Sequence, residues 1–118
     1  MAKILIADDN PSIRFLISEI VSKAGHEVVL QAKDGLEAIK GHKEMRPDLL
    51  IVDYHMPKLN GISVIHAIVQ NDPEAKIVLC TGSIEELESD RMIINLPILT
   101  KPFNNNDLIQ TIEILLKN

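Results

Sequence analysis

Asp48-Leu49-Leu50-Ile51-Val52-Asp53 is the stretch on which the fold turns. Its apolar run is too short for a helix and is bounded by carboxylates. That pattern predicts a strand buried on both faces, the habit of strands in parallel sheets. Three further runs repeat it. Lys3-Ile4-Leu5-Ile6-Ala7 leads into Asp8 and Asp9, Ile77-Val78-Leu79-Cys80 into Thr81, and Ile98-Leu99-Thr100 into Lys101. Laid side by side and parallel, these strands would bring three carboxylates, a hydroxyl and an ammonium to one sheet edge. Ligands of open α/β sheets bind at that edge, beyond the carboxyl ends of the strands. Clustered carboxylates repel one another and favour a hard divalent cation bound through oxygen. A lysine and a threonine beside them suit a phosphoryl group.

Helical periodicity fills the spaces between the strands, so the chain reads as alternating strands and helices around a parallel sheet. The first strand is expected over about 3–8. Asn10-Pro11 then supplies a cap and a first-turn proline, and Ile13, Leu16, Ile17, Ile20, Val21 and Ala24 recur at helical spacing up to Gly25. A second strand over about 27–32 is followed by an Asp34-Gly35 turn and a helix over about 35–45 that stops before Pro47. A helix over about 61–71 carries Ile62, Ile65, Ile68 and Val69 on one side. After the strand at about 76–81, a polar helix is expected over about 84–94. A strand at about 97–101 and a helix at about 105–117, striped with Leu108, Ile109, Ile112, Leu115 and Leu116, complete the series. The expectation from this alternation is an α/β fold built on a parallel sheet.

Composition narrows the function. The chain has 118 residues, 46% of them hydrophobic, which suits one domain with a real core. No apolar run approaches the ~20 residues of a membrane span, and no signal-peptide pattern opens the chain. A net charge of −5 argues against non-specific nucleic-acid binding. A single cysteine, Cys80, excludes an internal disulfide and agrees with a reducing, cytoplasmic setting. Its apolar strand marks it as a buried core thiol. His66, His26 and His42 read as solvated residues, and neither zinc spacing nor a Ser-His-Asp order is present.

Asp8-Asp9, Asp53, Thr81 and Lys101-Pro102-Phe103 stand in this order on successive strand ends. With Asp53-Tyr54-His55-Met56-Pro57 and Gly61, and with Cys80-Thr81-Gly82-Ser83, they resemble the receiver domain of two-component response regulators, of the CheY-like single-domain type. The resemblance runs from Lys3 to Lys117 and implies a flavodoxin-like, doubly wound α/β fold with strand order 2-1-3-4-5 and five helices. It implies a single receiver domain over 1–118 that accepts a phosphoryl group on Asp53 from a sensor histidine kinase or phosphotransfer protein. It also implies that Asp9, Asp53 and the main-chain carbonyl of His55 bind Mg²⁺ directly, and that Asp8 binds it through water. Lys101 would pair with Asp53 and then with a phosphoryl oxygen, while Thr81 would move to bond another. Gly82 would leave the phosphoryl group accessible, and the Lys101-Pro102 bond would be cis. The side chain of His55 would tune how long the phosphoryl group lasts.

The signal would leave through a protein contact on the face built by the helix at 84–94, the fifth strand and the last helix, with no direct contact to nucleic acid or membrane. Two departures bear on that route. The residue three before Lys101, commonly aromatic in the family, is Ile98, and Ile93-Ile94-Asn95-Leu96-Pro97 lacks the usual Gly-Ala pair. Two other functions share parts of the pattern. A Mg²⁺-dependent phosphohydrolase with an aspartate nucleophile usually carries a second aspartate two residues later, where this chain has His55. A phosphorylation-independent binding module usually lacks part of the acidic set, and this chain has all of it.

Overall fold

In the computed structural model, residues 2–82 and 96–117 are described. Five strands, β1 (Lys3–Ala7), β2 (Glu27–Ala32), β3 (Leu49–Asp53), β4 (Ile77–Thr81) and β5 (Ile98–Thr100), form one parallel sheet in the order β2-β1-β3-β4-β5. Four helices are found among the described residues: α1 (Pro11–Lys23), α2 (Gly35–Met45), α3 (Gly61–Asn71) and α4 (Asn105–Lys117). The helix expected at 84–94 lies outside the described residues. None of the described helices is long and apolar enough to cross a membrane.

Side chains of successive strand residues point to opposite faces, so each apolar run feeds two cores. Ile4, Ile6, Leu49, Ile51, Val78 and Cys80 meet Ile17 and Val21 of α1 and Leu108 and Ile112 of α4. Leu5, Ala7, Leu50, Val52, Ile77 and Leu79 meet Ala38 of α2 and Val64, Ile65 and Ile68 of α3. All five residues of β3 are buried, as befits the middle strand of a sheet covered on both sides.

Each of the four helices begins with an Asx cap that satisfies orphan N–H groups. Asn10 Oδ1 accepts from Ser12 N at 2.9 Å, Asp34 Oδ1 from Glu37 N at 2.9 Å, Asn60 Oδ1 from Ser63 N at 2.9 Å and Asn104 Oδ1 from Asp107 N at 2.8 Å. Asp34-Gly35, expected as a turn, is thus the start of α2. Glu37 also reaches back to accept from Lys33 N at 2.9 Å, a reciprocal arrangement of the capping-box kind.

Two histidines expected in solvent are not there. His42 is 2% exposed, with Nε2 3.4 Å from Asp72 Oδ2. It lies one helical turn after Ala38, itself fully buried, and so falls on the inward face of α2. The His26 side chain is 7% exposed; its Nδ1 accepts from Ala2 N at 3.1 Å and its Nε2 is 3.4 Å from Glu113 Oε1 on α4. It sits just ahead of β2, where the start of β1 and the end of α4 close over it. His66 is half-buried on α3.

Candidate functional site

Parallel register brings the polar strand ends together. Ala7 lies opposite Val52, Asp53 opposite Cys80 and Thr81 opposite Thr100, so the residues that follow or end each strand share the carboxyl edge. Asp8 and Asp53 are buried, Thr81 is fully buried, Lys101 is half-buried and Asp9 is exposed. Carboxylate oxygens of Asp8, Asp9 and Asp53 lie within 4.8 Å of one another. Lys101 Nζ reaches between two of them, 2.9 Å from Asp53 Oδ1 and 3.1 Å from Asp8 Oδ2.

Backbone contacts hold this geometry. Asp8 Oδ1 accepts from Asn10 N at 2.9 Å, which turns the chain from β1 into α1. Arg14 Nη1 donates to the Asp8 carbonyl at 2.6 Å, fixing the acidic pair from behind. Tyr54 N donates to Cys80 O at 2.8 Å and Lys101 N to Thr81 O at 2.7 Å, so the ladder continues past the strands and sets the heights of Asp53 and Lys101. Gly61 N donates to Tyr54 O at 2.7 Å and closes the loop 54–60. A Cβ on Gly61 would stand 2.6 Å from Asp53 O, so only glycine lets α3 start so close to the strand end. The Lys101–Pro102 bond is cis, as the resemblance implies. Gly82 is exposed, and a Cβ there would meet nothing within 4 Å.

Among the described residues, three carboxylates cluster around one ammonium. Burial pushes the Asp53 carboxyl above its ordinary value; the charges of Asp8 and Asp9 push the same way, and Lys101 offsets them in part. For Lys101, burial works against the charge, but its hydrogen bonds to Asp53 and Asp8 and their charges prevail and raise it. The excess of negative charge and the hard oxygen donors fit a divalent cation of the Mg²⁺ kind. Cys80, beside Asp53 in register, does not compete as a nucleophile: burial pushes its thiol up to about 12.

The sequence of residues 4–113 matches the family model described as the response regulator receiver domain. The chain belongs to the response regulator receiver domain family. Such receiver domains are signalling modules of two-component systems, phosphorylation-controlled switches that work with histidine kinases and downstream targets. This receiver domain is 32% identical over 117 residues to chemotaxis protein CheY of Thermotoga maritima, with 94% of each chain covered. It is 33% identical to chemotaxis protein CheY of Bacillus subtilis, again with 94% of each covered. Among solved structures it resembles response regulator TrrA of Thermotoga maritima in complex with Mg²⁺–BeF, with a TM-score of 0.88 and 33% identity, over 98% of this chain and 100% of that one.

The receiver domain's edge brings together Asp8, Asp9, Asp53 and Lys101, with Thr81 one residue beyond the partner of Asp53 on the next strand. His55 lies in the loop 54–60 with its side chain exposed, its ring edge-on to Tyr54 at 4.8 Å between centroids. Ile98 is half-buried and packs into the core on the α2–α3 side of the sheet. Sequence reasoning missed Arg14 and the ion pair of Lys58 Nζ with Asp34 Oδ2 at 3.3 Å. Arg14 carried no signal, since one arginine on a helix is ordinary. For Asp34 the signal existed in Asp34-x-x-Glu37, a capping pattern read as a turn.

Proposed function

We propose that Asp53 is the phosphoacceptor of a two-component relay and that residues 1–118 act as one receiver unit. The observation that carries this reading is the buried Asp53 carboxylate, 2.9 Å from Lys101 Nζ within a cluster of three acids. An oxygen of Asp53 attacks the phosphorus of a phosphohistidine on a sensor kinase or phosphotransfer protein. The P–N bond breaks as the P–O bond forms, and the departing imidazole takes up a proton. The carboxylate is a modest nucleophile, so the site acts mainly through alignment and charge neutralisation.

Asp9, Asp53 and the main-chain carbonyl of His55 would hold Mg²⁺ directly and Asp8 through water; the bound ion would neutralise charge on the transferred group. The Mg²⁺–BeF complex of TrrA supports this assignment. Lys101 passes from Asp53 to a phosphoryl oxygen and so carries its charge with the group. Thr81 offers its hydroxyl to a second phosphoryl oxygen, and that movement is the switch. Output leaves as a changed protein contact on the side of β5 and α4, in the cytoplasm; the helix at 84–94 expected to share it lies outside the described residues. There Ile98 takes the place usual for an aromatic, so the packing change that follows Thr81 involves a branched aliphatic. The test is intact mass after treatment with acetyl phosphate and Mg²⁺: one added phosphoryl group is expected, and none in Asp53→Asn. Full labelling of the variant would overturn the assignment.

A further inference from the structure

We propose that Lys58 is a positioning residue: its ion pair with Asp34 clamps the loop 54–60 onto the start of α2 and so sets the loop's carbonyls against the acid cluster. The inference rests on the Mg²⁺ site proposed above, because that site draws its third protein ligand from His55 in this loop.

Three observations converge on Lys58. Its φ is 72°, a left-handed conformation that L side chains other than Asn and Asp rarely adopt. A residue kept there must be held by its surroundings. Its Nζ lies 3.3 Å from Asp34 Oδ2, and the two side chains are 59% and 6% exposed. An ion pair between two mobile surface groups contributes little. Here the acid is already fixed, since its other oxygen caps α2 through Glu37 N at 2.9 Å, so only the lysine has to be ordered. The backbone N–H of Glu37 leads in holding the Asp34 carboxyl below its usual range against the opposing effect of burial, and Lys58 adds to it, so the acid is ionised at neutral pH.

The third observation is the packing on either side. A Cβ on Gly35, the first residue of α2, would stand 2.7 Å from Leu59 Cβ and 2.9 Å from Leu59 O. The loop thus rests directly on the α2 terminus, with Lys58 and Leu59 as its contact points. At its far end Gly61 N is bonded to Tyr54 O, next to Asp53. The path from Asp34 through Lys58, Leu59 and Gly61 to Asp53 is continuous, and His55 is carried within it. Residues that orient a metal's ligands matter to affinity without touching the ion.

The test is Mg²⁺ affinity by titration calorimetry, with far-UV circular dichroism as the check on folding. Lys58→Gly tolerates the left-handed backbone but lacks the charge; it is expected to fold and to bind Mg²⁺ on the order of threefold to tenfold more weakly. Lys58→Arg is expected to bind close to wild type. Asp34→Asn keeps the cap acceptor and loses only the charge, so its loss should match that of Lys58→Gly. The double variant should be no worse than either single one, because both remove the same contact. Wild-type affinity in Lys58→Gly, or additive losses in the double variant, would overturn the clamp, and the metal site would stand if Asp9→Ala still loses the ion. No binding by wild type, or undiminished binding by Asp9→Ala, would overturn both readings. Should Lys58→Gly not fold, Asp34→Asn decides alone: wild-type Mg²⁺ affinity in that variant overturns the clamp.

Discussion

The two edges of the sheet both bury ionisable groups, and they do so in opposite ways. At the amino edge each inward histidine has its own acid: His26 lies 3.4 Å from Glu113 and His42 3.4 Å from Asp72. The hollow beside them, about 680 Å³, is lined by His26, Asp48 and Lys76 among others, so both signs of charge share it. At the carboxyl edge, among the described residues, Lys101 alone pairs with both Asp53 and Asp8, and the exposed Asp9 stands beside them as a third acid. One acid beside each imidazole is an ordinary structural arrangement for a buried polar side chain. A standing surplus costs stability and persists where a ligand completes it. The surplus, more than burial itself, sets the carboxyl edge apart from the amino edge.

The sharpest way to break the comparison is to remove one acid from the surplus. Asp53→Asn should abolish phosphoryl uptake from acetyl phosphate altogether, read as the loss of the mass increase. Next in size is the metal. Asp9→Ala should weaken Mg²⁺ by about tenfold or more in calorimetry, and stripping Mg²⁺ with a chelator should stop phosphoryl uptake by the unaltered protein. At the other edge, His42→Ala removes a buried imidazole and strands Asp72. Denaturant unfolding should show a loss of about 2–4 kcal/mol, while phosphoryl uptake per folded molecule stays unchanged. If the two edges are swapped in this respect, with His42→Ala silencing uptake, the contrast fails.

A subtler effect separates the two kinds of charge by pH. Burial raises the Asp53 carboxyl in the folded protein, so the native state binds that proton more tightly than the unfolded chain does. The charged form therefore costs stability. That cost is absent below the unfolded value of 3.8 and complete once pH passes the raised folded value. Without Mg²⁺, Asp53→Asn should accordingly melt at higher temperature than wild type at neutral pH, and the gap should close as pH falls toward 3.8. A constant gap across that range would mean that the amide acts through packing and not through charge. The smallest expected effect concerns the exposed His55 in the loop 54–60: His55→Ala should change the phosphoryl lifetime, read as the decay of the added mass once acetyl phosphate is removed.

The carboxyl edge was legible in the sequence because its chemistry is anchored to strand ends. Asp8, Asp53, Thr81 and Lys101 each follow or close an apolar run, and parallel register does the rest. The strands themselves were legible as apolar runs, and their order through the resemblance to receiver domains. The amino edge was not. His26 and His42 read as solvated because a lone histidine near a glycine has no local signature, and their burial depends on how α2 meets α3 and how α4 closes over β2. The Lys58–Asp34 contact was invisible as well, since it joins two loops through a backbone angle that no residue type announces. What sequence periodicity encodes is which face a side chain takes; what it leaves out is which distant partner it finds there.

Cys80 has a practical consequence. Its thiol is 1% exposed in the strand beside Asp53. An alkylating reagent can reach it only when β4 separates from its neighbours, so the rate of modification counts openings of the sheet. The chain thus carries its own reporter, one atom wide, at the strand pair that ends in Asp53 and Thr81. Conditions that tie those strand ends together should slow its labelling, with no dye or tag added.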